Sequence, residues 1–320
     1  MRILNAHHIA ALVPLKGWID TMEQAMVTAL GDGYRMPPRP HYDYQGNTLL
    51  LMPCFLPDYF GTKLVSVFPG NTASGLPAVY GTMILNDGST GEPLAMLNGT
   101  KLTAMRTGAV GAVGVRHLAS PKATVLGIVG AGVQGLHQAL MVCRERPIQS
   151  IWVYDPLPGP MEQFKTLFQE EVQGVDIQAA PSIDHLLDVA EVVVTTTTAT
   201  APVLPADPDR LAGKTYIGIG SFKPDMQEFP DTLFQMADTV FCDTEHAIDE
   251  TGDLINPLQS GSIKPSQVIP AGRLITGEVE RPASDVQIWK SVGMALFDLV
   301  AAVMLYQEAR TQNIGQMVDV

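Results

Sequence analysis

Gly130, Gly132 and Gly135 follow the apolar run Val-Leu-Gly-Ile-Val, at the entry to an amphipathic stretch that begins at Val133. Between a strand and a helix, this spacing builds a cradle for a dinucleotide. Gly130 permits the tight turn, Gly132 has no side chain to block a pyrophosphate, and Gly135 lets helix and strand pack closely. The phosphate charge then falls on the helix N-terminus, beside Val133 and Gln134. A second apolar run, 151–154, ends at Asp155, twenty-five residues after Gly130. An acid there accepts hydrogen bonds from the adenosine ribose hydroxyls and repels a 2′-phosphate. This favours NAD(H), with NADP(H) as the alternative; the plainer reading is that Asp155 only opens the Asp155-Pro156 turn. Thr195, Thr196 and Thr197 close another apolar run, where a polar loop faces the expected ligand crevice. Their hydroxyls contact the cofactor or merely shape the turn.

The elements that must hold these residues alternate. Segments 123–129, 150–154, 175–179, 191–196, 215–219 and 239–242 read as strands, and 133–144, 161–173 and 183–189 as helices. Strand–helix alternation is the pattern of a doubly wound parallel sheet. The N-terminal third differs. Residues 1–30 carry apolar positions at helical spacing, whereas 48–52, 61–67, 78–85 and 93–98 are short, β-prone and broken by turn residues. They predict a mostly antiparallel sheet, followed by a small-residue-rich helix over 102–118. A last long helix over 283–307 crosses back to the N-terminal part, with a hinge on each side of the parallel unit. The expected fold is α/β: a Rossmann doubly wound parallel sheet over 120–295, and an α+β domain from 1–119 and 296–320.

Bulk properties exclude several classes. A net charge of −13 opposes nonspecific attraction to nucleic acid or to anionic lipid. Cys54, Cys143 and Cys242 are odd in number and widely spaced, which gives neither a disulfide framework nor a metal pattern. The seven histidines, at 7, 8, 41, 117, 137, 185 and 246, show no metal-ligand spacing. The N-terminus lacks a signal-peptide core, and the apolar run from Met294 to Leu305 contains Asp298 and is too short to span a bilayer. The expectation is a cytoplasmic protein without nucleic-acid or membrane partners. An acidic protein that binds an anionic substrate must concentrate positive charge locally.

Ordered motifs along nearly the whole chain point further. They are Gly61-Thr62-Lys63, Phe68-Pro69-Gly70-Asn71, Leu85-Asn86-Asp87 with Thr90-Gly91-Glu92-Pro93-Leu94-Ala95, and Leu102-Thr103-Ala104-Met105-Arg106-Thr107-Gly108-Ala109. Beyond the glycine turn come Pro224-Asp225-Met226-Gln227-Glu228, Glu250-Thr251-Gly252-Asp253-Leu254 and Lys290-Ser291-Val292-Gly293-Met294-Ala295. The chain thereby resembles the ornithine cyclodeaminase/mu-crystallin family. The resemblance implies a Rossmann domain paired with a substrate-binding and dimerisation domain, and a homodimer. It places Arg39, Lys63 and Arg106 at the substrate, with Lys63 as the active-site lysine and Arg106 as the clamp on a carboxylate. It also places Ser291, at the start of the terminal helix, near the nicotinamide.

One departure from the family bears on the reaction. Its deaminating and alanine-oxidising members carry an aspartate just before the segment matching Pro224–Glu228, where this chain has Phe222 with Ser221 beside it. Amine oxidation benefits from a carboxylate near the amine, to take a proton and to activate water. Reduction of a cyclic imine needs mainly orientation and a hydride donor. The expected activity is therefore ketimine reduction of 1-pyrroline-2-carboxylate or 1-piperideine-2-carboxylate, with Ser221 or a water held by it or by Lys63 as proton relay. The alternatives are ornithine cyclodeaminase, an alanine-type amino-acid dehydrogenase, and a non-catalytic mu-crystallin-like NAD(P)H-binding protein.

Overall fold

A computed structural model describes residues 1–157 and 159–319. The chain divides into two compact units: Met1–Arg106 with the stretch from Met294 onward, and Thr107–Gly293. The helix Gly99–Leu118 runs through the first boundary.

The first unit is built on a seven-stranded sheet. Its strands are β1 (Arg2–Leu4), β2 (His41–Tyr44), β3 (Asn47–Phe55), β4 (Tyr59–Val67), β5 (Val79–Asp87) and β6 (Pro93–Asn98), with the short terminal strand Gln316–Met317. The order is terminal strand–β1–β6–β5–β4–β3–β2, antiparallel throughout except for the parallel β1–β6 pair. Side chains alternate, as a sheet with one covered face requires. Met52 and Cys54 of β3, Gly61 and Lys63 of β4, Met83 and Leu85 of β5, and Ala95 and Leu97 of β6 are buried. The helix Ala295–Thr311 lies across β3, β4 and β5. It packs in turn on Leu15–Thr28, whose Trp18, Ile19, Met22, Ala25 and Met26 form one buried stripe. The opposite sheet face leaves Leu49, Phe55, Leu64 and Tyr80 exposed.

The second unit carries eight parallel strands: β7 (Val125–Val129), β8 (Ser150–Tyr154), β9 (Asp176–Ala179), β10 (Val192–Thr195), β11 (Thr215–Gly218), β12 (Val240–Cys242), β13 (Val268–Pro270) and β14 (Gln287–Lys290). Their order, β13–β12–β14–β11–β10–β7–β8–β9, is doubly wound, with the direction of winding reversing between β7 and β10. Every residue of β10, β11 and β14 is buried, which explains the non-alternating, largely apolar sequences of β10 and β11; β14 buries Gln287 and Lys290 beside Ile288 and Trp289.

Two expectations need correction. The helix drawn over 283–307 begins only at Ala295, because Gln287–Lys290 pairs as a strand between β11 and β12. Tertiary pairing overrode a helix-compatible pattern there. Ser291, Val292 and Gly293 therefore do not open the helix; they form the link before it, where Gly293 has φ +74°. The strands β1, β2 and β13 were too short to stand out in the sequence.

The small residues of Gly99–Leu118 have a packing reason. A Cβ on Gly114 would lie 2.6 Å from the buried Trp289 ring and 3.0 Å from Ile217 Cδ1. Overpacking of this kind costs about 1–3 kcal/mol, against roughly 1 kcal/mol gained from the better helix propensity of alanine. Gly114→Ala is therefore expected to lower the urea midpoint of unfolding. A midpoint at or above that of the parent protein would contradict this packing.

Candidate active site

Within the first unit, three charged side chains from three elements meet in the buried layer. Lys63 projects inward from β4, Arg106 from the helix Gly99–Leu118, and Asp298 from the first turn of the terminal helix. Lys63 Nζ donates to Asp298 Oδ2 at 2.6 Å and to Thr103 Oγ1 at 3.2 Å. Arg106 Nε donates to the other carboxylate oxygen, Oδ1, at 3.1 Å. Lys63 is 2% exposed, Arg106 6% and Asp298 0%, so none of the three is satisfied mainly by solvent. Thr103 lies three residues before Arg106, on the same helix face.

Burial controls the electrostatics. It pushes the Lys63 ammonium down to about 8, while Asp298 counters that shift and the positive charges of Arg106 and Arg39 add to it. Burial acts on Asp298 in the opposite sense, but Arg106 and Lys63 outweigh it and hold the carboxyl below its ordinary value. Asp298 is thus an ionised carboxylate locked between two cations, with no proton to give near neutrality. Lys63 holds its proton loosely enough to titrate near physiological pH.

Sequence reasoning had singled out Arg39, Lys63 and Arg106. The structure brings Lys63 and Arg106 onto one carboxylate, and Arg39 close enough for its charge to act on Lys63. In the sequence Asp298 is marked only as an interruption of an apolar run. The available signal was the cost of such an interruption: an acid inside an apolar helix demands a cationic partner.

The second unit presents the glycine turn. Gly130 adopts φ +102°, a conformation that favours glycine, and its N–H donates to Tyr154 O at 2.8 Å. A Cβ on Gly135 would lie 2.1 Å from Gly130 O, whereas one on Gly132 would meet nothing within 4 Å. The helix Val133–Glu145 starts at Gly132 with no side-chain cap and no acid in its first turn. Its first-turn N–H groups and open approach fit an anionic pyrophosphate. The Gln134 amide oxygen is buried and accepts no hydrogen bond among the described residues. Asp155 ends β8 beside this turn; its Oδ2 accepts from Ala131 N at 2.8 Å and its Oδ1 from Leu157 N at 2.9 Å. It therefore both braces the glycine loop and shapes the following turn, with lone pairs left for a ribose.

The neighbouring loops are more structural than their sequences suggest. Thr195 is buried, and Thr196 Oγ1 donates to Gly130 O at 3.0 Å. Thr197 donates through N and Oγ1 to Glu228 at 2.6 and 2.9 Å. The Glu228 carboxylate also accepts from Gly220 N and Ser221 N, tying the ends of β10 and β11 together. Ser221 Oγ donates to Met226 O at 2.6 Å and lies 2.5 Å from Thr251 Oγ1 in a fully buried position. That hydroxyl is engaged in holding the loop and is poorly placed to relay a proton. Phe222 is exposed, as is Asp225. Ser291 Oγ donates to Asp243 Oδ2, which also accepts from Val292 N and Gly293 N.

The family model "Ornithine cyclodeaminase/mu-crystallin family" matches residues 1–313. The chain belongs to this family. A Delta(1)-pyrroline-2-carboxylate reductase of Bacillus cereus is 34% identical over 280 residues, 85% of each chain. Among solved structures, the Thermococcus litoralis Delta(1)-pyrroline-2-carboxylate reductase in complex with NADH and L-proline superposes with a TM-score of 0.92 at 28% identity, over 99% of this chain and 100% of that one. An archaeal alanine dehydrogenase dimer with bound NAD gives 0.89 at 28% identity, over 100% and 99%. The family relationship carries a nicotinamide dinucleotide, and the glycine turn fits one.

Gly132 and Gly135 separate cofactor contact from folding. Gly132 is the N-cap, where alanine is a poorer residue than glycine, so Gly132→Ala is expected to cost about 1 kcal/mol of stability or less. It is expected to weaken NADH binding about tenfold or more, a loss of ~1.4 kcal/mol, read by fluorescence titration. Gly135→Ala, by contrast, should lower thermal stability itself. Unchanged NADH affinity in Gly132→Ala would place the pyrophosphate elsewhere.

Proposed function

We propose that the protein reduces a cyclic imino acid, 1-pyrroline-2-carboxylate or 1-piperideine-2-carboxylate, to L-proline or L-pipecolate. The observation that carries this reading is the buried Lys63–Asp298–Arg106 cluster, a compact cationic site in a protein of net charge −13. The pyrroline-2-carboxylate reductases among its relatives support it.

The roles follow from the chemistry of each group. Arg106 meets Asp298 through Nε, so its Nη edge is the part suited to a bidentate grip on the substrate carboxylate. Arg39 adds positive charge to the same site. Lys63 is the proton-bearing group of the cluster, and the imine nitrogen must gain a proton as its carbon is reduced. Reduced nicotinamide, when bound, supplies the hydride. Gly130, Gly132, Val133, Gln134 and Gly135 hold its pyrophosphate, and Asp155 its adenosine ribose, which favours NADH over NADPH. Thr195, Thr196, Thr197 and Ser291 shape the loops around it. Ser221 is left out of the proton path because its hydroxyl is engaged elsewhere.

The carboxylate present, Asp298, is pinned by two cations, and position 222 carries an exposed phenylalanine. Neither offers the free base that deamination of ornithine calls for. The protein is further proposed to assemble as a homodimer through the outward face of the first unit's sheet, where Leu49, Phe55, Leu64 and Tyr80 are exposed together.

Absorbance at the NADH band tests the reaction with both imines and with pyruvate plus ammonia, and chromatography for proline tests ornithine in the presence of NAD+, since that conversion is redox-neutral and leaves the absorbance unchanged. NADH oxidation by the imines is expected; conversion of ornithine with neither imine reduced would overturn the proposal. Arg106→Ala should lower kcat/KM for the imine by roughly 30- to 1000-fold, the loss of about 2–4 kcal/mol for a charged contact. Leu64→Glu is expected to yield monomers in sedimentation analysis; an unchanged dimer would move the interface away from this face.

A further inference from the structure

We propose that Asp298 is the positioning residue of this site, a single carboxylate that keeps Lys63 a cation and aims the free edge of Arg106 at the substrate carboxylate. The inference rests on the reading above and deepens it.

The geometry divides the carboxylate between two tasks. Oδ2 takes Lys63 Nζ at 2.6 Å, and Oδ1 takes Arg106 Nε at 3.1 Å. A carboxylate can engage a guanidinium through its two terminal nitrogens, through Nε and one terminal nitrogen, or through Nε alone. Here Nε is the donor, so the flat edge formed by both Nη groups lies outside the pair. Asp298 therefore orients Arg106 without competing for the donors that best match a second carboxylate. Thr103 completes the arrangement. Its hydroxyl donates to Gly99 O at 2.7 Å, so it meets Lys63 as an acceptor. With Asp298 and Thr103 each taking one ammonium hydrogen, the third is left for the substrate.

Charge balance supports the same assignment. Lys63 and Arg106 share the single negative charge of Asp298, so the cluster stays cationic and attracts a substrate carboxylate. Removing Asp298 would leave two buried cations side by side, with Arg39 adding a third charge to the neighbourhood. The side chains around Lys63 are Asp298 from the terminal helix, Arg106 and Thr103 from the helix Gly99–Leu118, and Arg39 from the segment before β2. The Cys54 thiol of β3 also lies within reach of the Asp298 charge, but burial pushes it up to about 12, so it stays neutral. The Asp298 charge opposes loss of the Lys63 proton.

The sign of the pH effect follows. Activity that needs the Lys63 ammonium falls as pH rises through about 8. Asp298→Asn removes a negative charge that raises this group, so the alkaline limb of kcat/KM should move to lower pH by about one unit or more. Asp298→Glu restores the charge and should return the limb toward its parental position. Lys63→Arg keeps a cation beside Asp298 but removes the titrating amine, and should abolish the limb near pH 8. Calorimetric binding of pyrrole-2-carboxylate, a planar unreactive analogue, should show the same limb and the same shift in Asp298→Asn.

A folded Asp298→Asn protein with unchanged NADH affinity and an unshifted limb would overturn the inference. Should that variant not fold, persistence of the limb in Lys63→Arg would overturn it equally. If the parent enzyme reduces neither imine, the functional reading fails by itself. The analogue titration then still decides whether Asp298 governs carboxylate binding.

Discussion

Taking charge out of water is the constraint around which the first unit is arranged. Each buried ion costs several kcal/mol before its partners compensate, and Lys63, Arg106 and Asp298 are buried together. Such a group survives only if every element carrying it is held in register. Lys63 sits directly opposite Met52 on β3 and Met83 on β5, so its ammonium rises from a row that is otherwise apolar. The terminal helix returns across that row and delivers Asp298 in its first turn. A one-residue slip of β4 would turn Lys63 to the outer face and leave Asp298 with one partner. The ion cluster and the hydrophobic packing thus specify the same register.

The second unit uses buried carboxylates in a related way, as organisers of loops. Glu228 gathers the N–H groups of Thr197, Gly220 and Ser221, at the carboxyl ends of β10 and β11. Asp253 accepts from Glu228 N and Phe229 N and pairs with Lys290 at 2.9 Å, fixing the end of β14. Asp243 collects Ser291, Val292 and Gly293 just before the chain leaves this unit. Loops at these strand ends are where doubly wound sheets bind ligands. Internal acceptors fix their shape in advance, which lowers the ordering cost of binding.

Much of this was legible in the residues. The glycine turn, the alternation of strands and helices, and the antiparallel N-terminal sheet all follow local rules, and β6 and β8 fall where their sequences place them. Lys63 and Arg106 were reached through family motifs, since nothing local marks a lysine in a strand as buried. Asp298 was missed because its meaning is tertiary: in sequence it breaks an apolar run, and only the fold shows what it pairs with. The strand Gln287–Lys290 was hidden for a similar reason, being stabilised by neighbours on both sides rather than by its own composition. Ser221 misled in the other direction. A serine beside a vacant acid position reads as a proton relay, yet its hydroxyl closes a buried turn with Met226 and Thr251.

The requirement at the centre of this chemistry is that a cationic site presents the C=N carbon of an imino acid for reduction. Its most direct test follows the hydrogen. The protein is incubated with 1-pyrroline-2-carboxylate and NADH deuterated at the transferred C4 position, and the product is examined by NMR. Proline carrying a single deuterium at C2 is expected. Proline without label at C2, or no reduction of this imine or of 1-piperideine-2-carboxylate, would contradict that placement.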